Sequence, residues 1–193
     1  MKKSKRALVV LDVQNIYFDP ESSLYVKQSK KILERINKLI RLFEERGELV
    51  IYTRHAHNPD GSDLGRMFDF AGEPEEPNFI DGTSEVELVD QLHLIRNAPV
   101  ITKTRYSAFT SPQFQQLLDK AQIKRLVLCG FMTNFCCEST ARDGHDRDYF
   151  VDFVIDATGC PPLGEVSGEE LIRATAATLA EGFAVVITAN EFS

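Results

Sequence analysis

A chain of 193 residues, 43% apolar and 26% charged, is the size of one domain, long enough to bury a full core and too apolar for disorder. Its net charge of -7 makes an extended phosphate-binding surface, and so a nucleic-acid partner, a poor expectation, and the basic run "MKKSKR" at residues 1–6 is too short to reverse that. No apolar run approaches the roughly 18–20 residues that cross a bilayer, and "ALVVL" stops before Asp12 without a signal-peptide cleavage site, so a cytoplasmic protein with no membrane partner is expected.

The first strand is expected at "RALVVLD", residues 6–12. An amphipathic helix follows from Ser29 to Arg46, with Ile32, Leu33, Ile36, Leu39, Ile40 and Phe43 recurring at spacings of three and four and Gly47 as its stop. "ELVIYTR" at 48–54 is the second strand. The stretch from His55 to Asp81, rich in Gly, Pro, Asp and Glu, has no period and is expected as a long functional loop. Its Leu64, Met67, Phe68 and Phe70 suit a subunit contact or a lid.

A helix is expected over Ser84–Leu94, then the strand "PVITK" at 99–103 and a helix over Ser111–Ala121 with Pro112 at its first position. "RLVLCG" at 125–130, a helix from Asn134 to about Asp146, "FVDFVID" at 150–156, a helix over Gly168–Gly182 and "AVVIT" at 184–188 complete the pattern. Six strands apolar on both faces and separated by helices imply a doubly wound, mainly parallel α/β sheet.

In such sheets ligands collect beyond the carboxyl ends of the strands, near the point where strand order reverses. Asp12 and Lys103 end strands of that kind, and Cys136 follows the strand "RLVLC" by a short loop. Each alone has an ordinary reading, as a turn former, a solvated charge or a buried thiol. Together, a carboxylate, an ammonium and a thiol make a coherent catalytic set. Thr133 or Asn134 can cap a helix that begins near Cys136, where unpaired N–H groups, the helix dipole and Lys103 would favour a thiolate. Cys137 is rotated by about 100° on a 3.6-residue turn, so one of the pair faces the cleft and the other packs inward. The four cysteines, at 129, 136, 137 and 160, lack the pairing of a disulfide framework or a structural zinc site.

"GFMTNFCCESTARD" at 130–143 resembles the nucleophile motif of the isochorismatase-like cysteine hydrolases, with Gly130, Thr133, Cys136, Thr140 and Ala141 in matching places. "LDVQN" at 11–15 is similar to the family's aspartate segment and "KTRYSAF" at 103–109 to its lysine segment. "DATG" at 156–159 and the closing helix and strand fit as well, so the resemblance spans nearly the whole chain. It implies one isochorismatase-like hydrolase domain over residues 1–193, an Asp12/Lys103/Cys136 triad with Cys136 as nucleophile, and an oxyanion hole made by the backbone N–H groups of Met132 and Cys136. It also implies a cis peptide between Phe131 and Met132, no cofactor, and a homo-oligomer.

The implied reaction is hydrolysis of a C–N bond in a small amide or ureide through a thioester. Relatives that are nicotinamidases carry an Asp-x-His metal motif, where this chain has "RHAHNPDGSD" at 54–63 and His55 in place of the Asp. No third ligand converges with His55 and His57 in the sequence, so no metal is expected. Isochorismate hydrolases lack the nucleophilic Cys, and Cys136 therefore argues for C–N hydrolysis over vinyl ether cleavage. The loop and the cysteine segment resemble the carbamoyl-amide branch most. Gln14, Phe18, Arg54, Tyr106 and Phe109 are the candidate substrate contacts. A non-catalytic or thiol-sensing protein is the alternative; a nucleotide-binding module is disfavoured by the absence of G-x-G-x-x-G and Walker motifs.

Overall fold

The computed structural model describes residues 5–73 and 75–192, so residues 1–4 of the basic N-terminal run lie outside it. Six parallel strands, β1 (Arg6–Leu11), β2 (Leu49–His55), β3 (Val100–Lys103), β4 (Arg125–Phe131), β5 (Phe150–Gly159) and β6 (Val185–Ile187), form one sheet in the order β3-β2-β1-β4-β5-β6. The chain winds outward from β1 to β3, then returns past β1 to β4 and winds the other way. Strand order therefore reverses between β1 and β4, where parallel sheets open a crevice.

Helix α1 (Ser29–Glu45) drives Ile32, Leu33, Ile36, Leu39, Ile40 and Phe43 into one face of the sheet, against Leu8, Val10, Val127 and Val154. The periodicity read from the sequence is the buried stripe. Helices α2 (Pro112–Ala121), α3 (Glu138–Asp146) and α4 (Gly168–Gly182) supply Phe114, Leu118, Ala141 and Leu179 to the other face, against Ala7, Val9, Leu126 and Phe153. Alternate residues of β1 thus enter two separate cores, as the two-residue strand period requires. Pro112 opens α2 as expected, and a capping box between Ser167 and Glu170 starts α4.

The helix expected over Ser84–Leu94 does not form; only a 3-10 turn, Ser84–Val86, is present. Val86, Val89 and Leu92 are buried on the α1 side, so the apolar spacing is real, but the backbone finds other partners. Gln14 Nε2 donates to the Val86 carbonyl at 2.7 Å and Asn15 Nδ2 to that of Ser84 at 2.9 Å, while Val89 N–H donates to Val13 and Asn15 N–H to Glu87. The extension of β1 captures this segment's polar groups, which leaves no deficit for a helix to satisfy.

Candidate active site

Two local features bring the ends of β1 and β4 together. Gly130 has φ +124°, and a Cβ there would stand 2.0 Å from the Leu11 carbonyl oxygen, so only glycine lets the strands approach this closely. Asp12 adopts φ 49°, which turns its side chain back over the sheet edge, and its N–H donates to the Thr53 carbonyl at 3.2 Å. After β4 the Phe131–Met132 peptide is cis, as the family resemblance implies. A single π turn, Thr133–Cys137, then sets Cys136 over the crevice, its closing bond running from Cys137 N–H to the Met132 carbonyl at 3.1 Å.

Asp12, Lys103 and Cys136 meet there, all buried. Lys103 Nζ stands 2.8 Å from Asp12 Oδ2 and donates to Cys136 Sγ at 3.2 Å and to the Arg105 carbonyl at 3.0 Å. Thr53 Oγ1 donates to Asp12 Oδ1 at 2.6 Å, which fixes the carboxylate plane. Asp12 Oδ2 has the Lys103 ion pair and no other resolved hydrogen-bond partner among the described residues. Cys137, next to Cys136, is fully buried in the α2–α4 core, as the rotation between neighbours predicts.

The electrostatics differ from the expected thiolate. Burial pushes the Cys136 thiol up to about 12; Lys103 pulls against this, and Asp12 adds to it. Desolvation therefore outweighs the π turn and the ammonium, and the resting sulfur is protonated. Burial is the largest influence on Lys103 and opposes its charge, but Asp12 and the Cys136 sulfur together outweigh it and hold the ammonium above its ordinary value.

The five candidate substrate contacts divide. Tyr106 lies at the mouth, 5.3 Å from the Phe135 ring, and its hydroxyl is raised by burial and by facing Cys136. Phe18 packs edge-on to Phe131 at 5.5 Å. The other three are engaged elsewhere. Gln14 spends its whole amide on backbone, donating to the carbonyls of His55 and Val86 and accepting from His55 N–H. Arg54 points to the opposite face from His55 and pairs with Asp81 at 2.9 Å and Glu87 at 3.1 Å. Phe109 is core, packed on Phe114 and Tyr149.

Sequence reasoning missed Tyr17 and Thr53. Tyr17 is buried and stacked on Phe131 at 5.2 Å, with its hydroxyl raised well above its ordinary value by burial and by the nearness of Cys136 and Asp12. Its position five residues after Asp12, on a short 3-10 turn, was the available signal. In the long loop Phe68 packs edge-on to His57 at 5.7 Å, whereas Phe70 is exposed.

Ligand atoms of Asp12, His55 and Cys136 lie within 4.8 Å of one another, the one such group among the described residues. A metal does not fit it. The Lys103 ammonium already lies against two of the three donors, and His55 and His57 turn their Nε2 atoms to each other at 3.0 Å, a hydrogen-bond distance shorter than the spacing of two nitrogens on one zinc ion.

The isochorismatase domain model matches residues 6–191. The chain is 31% identical to nicotinamidase 3 of Arabidopsis thaliana over 96% of this chain and 85% of that protein. It is also 31% identical to the ureidoacrylate amidohydrolase RutB of Azorhizobium caulinodans, over 79% of this chain and 75% of that one. A solved cysteine hydrolase from Pseudomonas syringae pv. phaseolicola superposes with a TM-score of 0.87 at 31% identity, covering 97% of this chain and 90% of its own. With the domain model matched from β1 to beyond β6 and the crevice built as described, the chain belongs to the isochorismatase family.

Proposed function

We propose that the protein hydrolyses the C–N bond of a small amide or ureide through a thioester on Cys136. The observation that carries this reading is the buried Lys103 ammonium, 2.8 Å from the Asp12 carboxylate and 3.2 Å from the thiol. It holds a proton acceptor beside a neutral nucleophile in a dry site, an arrangement that a core packing role would not need. Kinship with a nicotinamidase and a ureidoacrylate amidohydrolase supports the same bond class.

The chemistry balances with these groups alone. Asp12 takes the thiol proton as sulfur attacks the carbonyl carbon, and the displaced electron pair settles on oxygen, held by the N–H groups of Met132 and Cys136. The C–N bond breaks as Asp12 returns the proton to nitrogen, which leaves as ammonia. Water then gives a proton to Asp12 and attacks the thioester; the C–S bond breaks and sulfur regains the proton. Lys103 offsets the negative charge that passes between oxygen, carboxylate and sulfur. Residues 1–193 act in this reading as one domain in the cytoplasm, in a homo-oligomer, with all four cysteines reduced.

A thiol sensor is disfavoured by the same electrostatics, because oxidants react with thiolates and burial keeps Cys136 protonated. The test is ammonia release from nicotinamide, N-carbamoylsarcosine, biuret and ureidoacrylate. Cys136→Ala is expected to lose all release, and Cys137→Ala to keep it with a stability loss on the order of 1 kcal/mol. Undiminished release by Cys136→Ala would end the proposal.

A further inference from the structure

The mechanism leaves unused a chain of three side chains, two buried histidines and a part-exposed carboxylate, that ends near the thiol. His55, the last residue of β2, and His57 place both rings on one side of an extended backbone, and each is 1% exposed. The His55 ring stacks on Phe79 at 4.7 Å and 13°, while the His57 ring meets the edge of Phe68. Their Nε2 atoms are 3.0 Å apart, and His57 Nδ1 is 3.3 Å from Asp63 Oδ1. Asp63 is itself fixed, since the same oxygen accepts from Asn58 N–H at 3.0 Å and its carbonyl accepts from Arg105 at 2.8 Å.

This geometry decides where the ring protons lie. Asp63 accepts only, so His57 carries its proton on Nδ1 and presents a lone pair at Nε2. His55 must then donate from Nε2, which leaves its Nδ1 as an unprotonated acceptor. The opposite tautomers would set a lone pair of His57 against a carboxylate. Both rings are neutral: burial lowers His55 well below the ordinary histidine value, with Lys103 adding to this, and burial lowers His57 more than Asp63 restores it.

A ring nitrogen of His55 lies within 4.8 Å of the Cys136 sulfur and of an Asp12 oxygen. A carbonyl carbon about to be attacked stands about 3–3.5 Å from sulfur, and its amide nitrogen is about 1.3 Å further on. With an Asp12 oxygen and a His55 ring nitrogen each within 4.8 Å of the sulfur, the leaving nitrogen is within reach of both. We infer that His55 is a specificity-determining residue that accepts one N–H of a primary carboxamide or terminal ureide, turning the nitrogen so that its forming lone pair meets the proton on Asp12. His57 and Asp63 are positioning residues that fix the His55 tautomer. The inference rests on the amide-hydrolase reading and adds the selection of nitrogen over oxygen leaving groups.

Esters test it, because a methyl ester lacks the N–H but undergoes the same attack on the same acyl group. The amide of the four-member panel that wild type turns over fastest is paired with the methyl ester of its acyl group, methyl nicotinate in the case of nicotinamide. In His55→Phe the amide-to-ester ratio of kcat/KM is expected to fall about tenfold to a hundredfold, the effect of a lost buried acceptor. Asp63→Asn, at a part-exposed position that leaves the core intact, is expected to move the same ratio in the same direction by less. Nitrogen-15 histidine spectra of the wild type are expected to show His55 protonated at Nε2 and His57 at Nδ1. Equal loss of amide and ester turnover in both variants, or the reverse tautomers, would overturn the inference and leave the amide-hydrolase reading standing. A folded wild type that turns over no amide of the panel would overturn both.

Discussion

In the proposed mechanism the resting nucleophile is a thiol, and that shifts the burden of activation onto Asp12. With Cys136 pushed up to about 12 by burial, only a small fraction of the sulfur ionises at neutral pH without a base in contact. Two expectations follow at this scale. Alkylation of Cys136 by iodoacetamide should keep rising with pH from 7 to 9, where the fold is intact and an activated thiolate would give a rate already level. Asp12→Asn should lose roughly 10²–10⁴ in kcat, because an amide cannot take the thiol proton, while the protein keeps its fold. Near-normal turnover in Asp12→Asn would move the base elsewhere. Asp12 and Lys103 were legible from position, each at a strand end, whereas the family resemblance was needed to single out Cys136 from Cys137. The protonation of the three was not legible, because desolvation depends on everything packed around them. Gln14 and Arg54 were misread for a related reason: polar residues near a motif look like contacts until their own partners are known.

At the level of elements, the crevice exists because β1 and β4 touch at Leu11 and Gly130. Adding a methyl group at Gly130 forces backbone apart, as its nearest neighbour is the Leu11 carbonyl carbon and oxygen, which no rotamer change can clear. Gly130→Ala also places a side chain at φ +124°. We expect it to cost more than about 3 kcal/mol in a urea midpoint experiment and to abolish activity with it. A variant as stable and active as wild type would mean that the strands can part without disturbing Asp12. The sequence showed Gly130 as a motif residue but not this reason, which needs the neighbouring strand. The same holds for Ser84–Leu94. Its apolar spacing suited a helix, and only the partners offered by Val13, Gln14 and Asn15, some 70 residues earlier, explain its extended path. Local pattern located the strands and α1–α4; long-range pairing settled what pattern could not.

Across the whole molecule, all four thiols are buried: Cys129 and Cys160 in the core on the α1 side, Cys137 in the core on the other side, and Cys136 at the crevice. Burial raises every one of them, Cys136 to about 12 and Cys160 to about 11, Cys129 higher still and Cys137 well above its ordinary value. Unfolded cysteines titrate near 8.5. Below that pH both states keep their protons and stability is at its full value; above it the unfolded chain ionises while the native chain does not, so the native state holds more protons and stability falls as pH rises. The loss runs from about pH 9, tapers for Cys160 and Cys136 as their folded values are reached, and continues for Cys129. Each thiol that remains protonated costs about a factor of ten in the folding equilibrium per pH unit, and four acting together should bring cooperative unfolding within mild alkali. Urea midpoints measured at pH 8, 9 and 10 should therefore drop with a slope that steepens across the series. Replacing Cys160, which lies away from the triad, with Ala should flatten that slope by about a quarter while leaving turnover unchanged. A midpoint that is level to pH 10 would show that the thiols reach solvent in the native state, and with it that the dry site assumed for Cys136 is wet.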